Sequence, residues 1–240
     1  MSGHSKWSKI KRQKGVADVK KGKVFSQFSK IVTLMAKNGG GDASMNPALK
    51  LAIEKAKQAN MPLDNIEKAI KKGTGELEGG TIEEVLYEAY GPGGIAIIIE
   101  GTTDSTNRTV AEIKHILSRN NGRLGEAGSV KWMFERFGYL EVDKKDLNIS
   151  EDDFEMLIID AGAEDFNVVG DVVVVSVKPE DLYKVKEDLE KNKLKISDTG
   201  FEWQAKNKIK IDDEKVNKQI ERLFEALDKQ EDVGEVSSNV

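Results

Sequence analysis

The first 23 residues carry side chains whose types and spacing suit them to binding phosphate. Eight lysines and arginines stand in this segment against a single acid, Asp18. Such a cluster binds a phosphate backbone because each contact releases condensed counterions; the alternative is a basic tail that is merely solvated. Trp7 lies among these cations, and its indole can either stack on a base or pack on a core. The residues predicted to contact nucleic acid are Lys6, Trp7, Lys9, Lys11, Arg12, Lys14, Lys20, Lys21 and Lys23.

The charge of the chain is divided between its two parts. Residues 1–72 hold 16 lysines and arginines against 5 acids, a net charge of +11, whereas the remaining residues carry −16. A basic domain on an acidic body is typical of proteins that bind a polyanion at one end. Phosphates repel the acidic body, so we expect its surface to be available to protein partners, with RNA polymerase and the ribosome as candidates.

Side chains that could carry catalysis or hold a metal are few. The chain has no cysteine and two histidines, His4 and His115, which lack the spacing of a zinc site. The one Gly-Lys pair is followed by Val24, so the chain also lacks a nucleotide-binding loop. We therefore expect no metal, no cofactor and no enzymatic activity. A metal-dependent nuclease that uses scattered carboxylates stays open as an alternative.

Export and membrane insertion have no recognisable signal. No apolar stretch approaches the roughly 20 residues that a spanning helix needs, and residues 1–6 lack the apolar core of a secretory signal. The absence of cysteine is compatible with a reducing compartment. We expect a cytoplasmic protein that contacts neither a membrane nor a small-molecule substrate.

Three amphipathic helices are predicted to position the lysines that follow the arm. Apolar residues recur at three- and four-residue spacing from Val24 until residues 38–41 end the helix. Asn46 caps a second helix, and Pro62 begins a third, in which Leu63 is expected to face inward. A shared core would make this region a three-helix bundle. The positive surface extends onto these helices through Lys50, Lys55, Lys57, Lys68, Lys71 and Lys72.

Beyond residue 80 the apolar period changes to two, which indicates strands. Residues 85–90 and 95–99 flank a glycine-rich turn and predict a hairpin. A helix follows, with Thr103 or Asp104 as its cap, and residues 129–134 are predicted as a strand. This region is therefore expected to be an α+β domain.

Residues 139–203 predict the element order βαββαβ, which is ferredoxin-like. Residues 205–211 are predicted as a further strand and residues 216–227 as a helix. We therefore expect an α+β multidomain protein with an N-terminal three-helix bundle, a central α+β domain, and the ferredoxin-like domain inserted in the central one. The predicted divisions are 1–23 for a basic arm, 24–78 for the helical domain, 79–137 and 204–240 for the central domain, and 138–203 for the inserted domain.

Several segments resemble signatures of the YebC/PmpR family of probable transcriptional regulators, whose mitochondrial relatives are translational activators of cytochrome c oxidase. They are SGHSKW at residues 2–7, NMPLDNI at 60–66, YGPGG at 90–94, TD at 103–104, NRT at 107–109 and GSVKWMF at 128–134. The family commonly has Asn-Arg after Thr-Asp, whereas this chain has Ser105-Thr106, so only Arg108 remains as a basic residue there.

The resemblance implies three domains and nucleic-acid binding, and it leaves two functions open. We predict a non-enzymatic, DNA-binding transcriptional regulator. The alternative is a translation factor that binds ribosomal RNA and relieves stalled ribosomes. Basic charge does not distinguish them, because phosphate is common to both polymers.

Overall fold

Three helices form the N-terminal region of the structure. The computed structural model describes residues 21–147 and 149–240. The Asn46 side chain caps the second helix as predicted, accepting a hydrogen bond from the Leu49 backbone N at 3.0 Å. The third helix ends at Gly75, whose φ of 82° is the left-handed conformation that glycine adopts readily. The helices are α1 (Lys21–Gly39), α2 (Pro47–Gln58) and α3 (Leu63–Thr74).

One apolar core holds these helices together. Gly73 of α3 lies against α1, and a Cβ at this position would lie 2.3 Å from the carbonyl oxygen of Thr33. Leu63, predicted to face inward, is instead 60% exposed, whereas the neighbouring Met61 is buried in the core. The core residues are Val32, Ala36, Leu49, Ala52, Ala56, Met61, Ile66 and Ala69.

A four-stranded sheet with two helices follows. Its first two strands form the predicted antiparallel hairpin, in which Tyr87 pairs with Ile99. Residues 95 and 97–99 are fully buried, so the second strand lies in the core. The strand order is β3-β1-β2-β8. The elements are β1 (Glu83–Tyr90), β2 (Ala96–Thr103), α4 (Thr106–Arg119), β3 (Arg123–Leu124), α7 (Glu214–Lys229) and β8 (Val233–Ser238).

A second four-stranded sheet lies between β3 and α7 in the chain. It has the predicted element order strand–helix–strand–strand–helix–strand, and its antiparallel strands lie in the order β5-β6-β4-β7. Leu140 and Val175 of the two central strands pack against Phe154 and Leu189 of the two helices. The elements are β4 (Phe134–Asp143), α5 (Glu151–Ala161), β5 (Asp165–Val169), β6 (Val172–Val177), α6 (Leu182–Lys191) and β7 (Ile196–Ala205).

The described chain divides into two compact units. One contains residues 21–127 and Ile211–Val236, and so joins the three helices to the first sheet. The other contains Gly128–Lys210 and Ser237–Val240. The chain therefore leaves the first unit after β3 and returns to it at α7 and β8.

Some predicted elements differ from the structure. The predicted strand at 129–134 is wrong for most of its length, because Lys131–Met133 form a 3₁₀ turn and β4 begins at Phe134. The predicted strand at 205–211 is also wrong: β7 ends at Ala205, and the exposed residues 206–210 lie outside any strand.

The start of α4 and the last strand also differ from the prediction. Ser105 occupies the N-cap position of α4. Thr103 is instead the buried last residue of β2, and its Oγ1 accepts a hydrogen bond from the Ser105 backbone N at 2.9 Å. β8 was not predicted, because Val233 and Val236 are its only apolar residues.

Candidate nucleic-acid interface

The nine residues predicted to contact nucleic acid fall mostly outside the described residues. Lys21 is the first described residue of α1. Lys23 is half-buried, and its Nζ donates a hydrogen bond to the carbonyl oxygen of Asp228. The binding role of all nine stays a prediction. Those outside the described residues are Lys6, Trp7, Lys9, Lys11, Arg12, Lys14 and Lys20.

The lysines of α2 and α3 form a positive surface in the helical region. Five of the six predicted there are exposed, and Lys55 is half-buried. Lys68 and Lys72 lie one turn apart on α3, with Cβ atoms about 6 Å from each other. None of the exposed five forms a salt bridge with another residue that the structure describes, so their charge faces solvent. They are Lys50, Lys57, Lys68, Lys71 and Lys72.

A groove of about 350 Å³ lies beside two of these lysines, between α1 and α3. The short side chains of Ser26 and Ser29 form part of the α1 wall, and Lys68 and Lys72 line the α3 side. Apolar surface in such a groove can contact the faces of an unstacked base while ammonium groups neutralise the adjoining phosphate. Its other lining residues are Phe25, Met61, Asn65, Ala69 and Leu77.

The position of α1 on the first sheet depends on a buried carboxylate, Asp232, which immediately precedes β8. Its side chain is fully buried and forms an ion pair with Lys30 of α1. From α4, the Arg108 Nη2 donates to its Oδ2 at 3.0 Å and the Thr109 Oγ1 donates to the same oxygen at 2.6 Å. The Gln230 Nε2 lies 3.3 Å from that oxygen. Asp232 therefore joins α1, α4 and the segment before β8.

These contacts determine the protonation state of Asp232. Burial by itself would raise the pKa of this carboxyl group, but hydrogen bonds from Lys30, Thr109 and Arg108 hold the pKa below the usual aspartate value. Hydrogen bonds to Asp232 and then to Asp104 raise the pKa of Arg108. The carboxylate is therefore charged at neutral pH and balances two cations.

The docking face of α1 uses residues at helical spacing. Gln27, one turn after Lys23 and three residues before Lys30, donates through Nε2 to the carbonyl oxygen of Val233. Since these three side chains bind the segment 228–233, two lysines of the basic region serve to attach α1 to the end of α7 and to the start of β8.

Sequence reasoning did not identify Asp232. Arg108 is the one basic residue in the segment 105–109, and the structure pairs it with Asp104 at 2.7 Å and with Asp232. Asp232 is 124 positions away from Arg108, and no local pattern marks it. The two segments that resemble family signatures, at residues 103–104 and 107–109, therefore contain Asp104, Arg108 and Thr109, which take part in the ion pairs and hydrogen bonds around Asp232.

A cluster of acidic residues, 151–153, lies at the start of α5. At the start of α5 the Ser150 Oγ accepts a hydrogen bond from the Asp153 backbone N at 3.1 Å, as an N-cap does. Across residues 21–147 and 149–240, no group of three histidines or acids is placed to hold a metal ion. Over the same ranges, no helix combines the length and apolar character needed to cross a bilayer.

Comparison with known proteins gives matches over nearly the whole chain. Residues 5–76 match the model of the TACO1/YebC protein N-terminal domain, and residues 82–240 match that of the TACO1/YebC second and third domain. A probable transcriptional regulatory protein of Halothermothrix orenii is 47% identical, covering 100% of this chain and 94% of its own length. One of Chlorobaculum parvum with the same description is 49% identical, covering 100% of this chain and 95% of its own.

A solved structure is also similar. The crystal structure of a conserved hypothetical protein, Aq1575, from Aquifex aeolicus superposes with a TM-score of 0.85 at 42% sequence identity. The match covers 92% of this chain and 90% of that one. The α+β fold, with its three N-terminal helices and two four-stranded sheets, is therefore similar to one that has been solved experimentally.

Proposed function

Since the chain belongs to the TACO1/YebC family, we propose that it is a transcriptional regulator that binds DNA through the basic helical region. Its relatives carry the name probable transcriptional regulatory protein, which makes transcription the first process to test. In this proposal the protein acts in the cytoplasm, in stoichiometric amounts and without catalysis.

The observation that carries the proposal is the separation of charge. Residues 1–72 have a net charge of +11, and five lysines of α2 and α3 are exposed without a salt bridge to a described residue. The rest of the chain has a net charge of −16 and is repelled by the phosphates that attract the helices. Binding is therefore expected to direct the acidic part away from the polymer or to let it contact the polymer at few places, so that RNA polymerase could reach its surface.

The proposal includes the domain division. We assign residues 1–23 to a basic arm, 24–78 to the helical domain, 79–137 and 204–240 to a central α+β domain, and 138–203 to an inserted ferredoxin-like domain. The βαββαβ element order and the strand order β5-β6-β4-β7 support the last assignment. The helical domain and the arm are then the parts that contact phosphate.

Salt titration of binding to promoter fragments tests the proposal. Five phosphate contacts give a log–log slope of affinity against salt between about −4 and −5 for duplex DNA. Replacing Lys68 and Lys72 with glutamine should reduce this slope by about 2, because each phosphate contact contributes about 0.9. A matched control, Lys145→Gln with Lys195→Gln, removes the same charge from exposed positions in the other unit and should leave the slope unchanged.

A flat salt titration of the unmodified protein, or equal slopes for the two double variants, would remove the helical region from the mechanism. Incubation with labelled DNA and RNA in magnesium tests the absence of catalysis. Turnover of either polymer would overturn the non-enzymatic assignment in favour of a metal-dependent nuclease.

The second candidate is a translation factor that binds ribosomal RNA and assists stalled ribosomes. The groove between α1 and α3 favours it, since its apolar lining suits an unstacked base, and protein recognition of RNA commonly uses such bases. Cosedimentation with ribosomes at rising salt, beside a shift assay on promoter fragments, separates the two. Ribosome association that persists at salt where promoter binding is lost would select the second candidate.

A further inference from the structure

One tryptophan of the second unit is exposed yet held in place. Trp132 lies in the 3₁₀ turn before β4 and is 68% exposed. Its indole Nε1 donates a hydrogen bond to the carbonyl oxygen of Ser129 at 3.2 Å. The turn is anchored on both sides by the buried residues Val130 and Phe134. The indole therefore presents a fixed aromatic face to solvent.

Cationic side chains lie over neighbouring aromatic rings. Arg136 of β4 pairs in register with Trp203 of β7, and its guanidinium carbon lies 5.0 Å from the ring centre of Phe201 and 6.0 Å from that of Trp203. The Lys131 Nζ lies 5.3 Å from the ring centre of Trp203. Contacts of this kind orient a cation without neutralising its charge.

Strand pairing gathers further positive charge at this end of the sheet. The Lys206 backbone N donates to the carbonyl oxygen of Met133 at 2.9 Å, which places residues 203–206 beside residues 133–136. Counted over residues 129–138 and 203–210, the strands and the residues that flank them hold five exposed cations and one acid, Glu135. Residues 128–210 and 237–240 as a whole hold 13 basic and 19 acidic residues. The cations are Lys131, Arg136, Lys206, Lys208 and Lys210.

We propose that residues 129–138 and 203–210, which we call the Trp132 surface, bind single-stranded nucleic acid. An unpaired base stacks on the indole of Trp132, and the surrounding cations contact the flanking phosphates. This inference rests on the proposed function and adds a second contact on the part of the chain whose net charge is negative. Tryptophan and arginine also occur at protein interfaces, but a local net charge of +4 in a unit of net charge −6 favours a polyanion.

The test compares variants of the full-length chain on a thymidine decanucleotide and on a duplex of the same length. Trp132→Ala should weaken binding to the single strand by about fivefold to 150-fold, the range expected for loss of one base–aromatic stack. Duplex affinity should change much less, because paired bases are not available for stacking. Trp132→Phe should recover part of the loss, since phenylalanine also offers an aromatic face.

Two further measurements separate stacking from a general loss of charge or fold. Single-strand binding should quench tryptophan fluorescence. Part of this quenching comes from Trp132, so it should be absent in Trp132→Ala and still present in Trp7→Ala. Lys206→Gln with Lys208→Gln should reduce the single-strand salt slope by about 1.4, at about 0.7 for each contact. The melting temperature of Trp132→Ala should match the parent, because the side chain is mostly exposed.

The outcomes distinguish this inference from the proposed function. If the parent protein binds the single strand and Trp132→Ala binds it with equal affinity and quenching, the inference fails and the proposed function stands. If the parent binds neither oligonucleotide nor promoter nor ribosome, both fail. If Trp132→Ala loses a protein partner while its oligonucleotide affinity is unchanged, the Trp132 surface is a protein interface and the inference is overturned.

Discussion

Replacing Asp232 with asparagine should loosen the attachment of α1 to the first sheet. The substitution keeps the size of the side chain and removes the charge that balances Lys30 and Arg108. The Lys30 side chain is only 12% exposed, so its ammonium group would remain largely buried without its counter-charge. Breaking a buried pair by removing one partner costs about 3–5 kcal/mol.

The structure places the expected cost near the lower limit of that range. Arg108 is 44% exposed and keeps Asp104 as a partner, so losing its pair with Asp232 costs little free energy. The asparagine oxygen can still accept a hydrogen bond from Thr109. We therefore expect a loss of about 3 kcal/mol, or about 6–12 °C in melting temperature for a unit of this size. The matched control, Asp104→Asn, alters an exposed pair with the same arginine and should cost at most about 1 kcal/mol.

The assay must report on the unit that contains α1. Trp132 and Trp203 both belong to the other unit, so their fluorescence is a poor reporter. Far-ultraviolet circular dichroism gives the melting temperature, and hydrogen exchange of α1 amides measures local opening. If the α1 amides exchange equally slowly in Asp232→Asn and in the parent, then Asp232 does not hold the helix. The same conclusion follows if Asp104→Asn lowers the melting temperature as much as Asp232→Asn does.

Two other predictions concern acid stability and a close helix contact. The pKa of Asp232 is lowered in the folded protein, so its stabilising contribution is complete above its unfolded pKa of about 3.9 and is lost as pH falls through the lower folded value. Melting temperatures between pH 6 and pH 2 should therefore fall more steeply below about pH 4 in the parent than in Asp232→Asn, and parallel curves would contradict this. Gly73→Ala should cost about 1–3 kcal/mol in thermal or urea unfolding, because the new Cβ meets the Thr33 carbonyl oxygen. Gly22→Ala, whose Cβ meets nothing within 4 Å, should be neutral or stabilising by up to about 1 kcal/mol, and equal effects at the two glycines would rule out the steric explanation.

Local sequence patterns were sufficient to predict the helices and strands that are specified by residues close together in the chain. The three- and four-residue spacing predicted α1, and the side chain of Asn46 caps α2 as its type and position indicated. The apolar run at 95–99 predicted a buried strand, and residues 97–99 are fully buried in β2. In each case the decisive information lies within about a dozen residues.

The missed features depend on contacts between distant parts of the chain. The segment 129–134 has the apolar content of a strand, but Val130 and Phe134 are buried while Trp132 is exposed, and apolar content does not distinguish a turn anchored at both ends from a strand. β8 is stabilised by its position beside β2, although it has only two apolar residues. Asp232 is defined by partners on α1 and α4, which the sequence does not place together.

Asp232 also changes how the charge of the basic region should be interpreted. In a count of charge along the sequence, every lysine among residues 1–72 contributes equally to a surface that attracts polyanions. In the structure, Lys23 and Lys30 contact the segment 228–233, and Lys30 is paired with a buried carboxylate. A charge that is mostly buried and paired adds little to the attraction of an external phosphate, whereas five of the six lysines of α2 and α3 are exposed. Lys23 and Lys30 of α1 therefore fix the orientation of the helical region, and the five exposed lysines of α2 and α3 supply charge that a polyanion would meet.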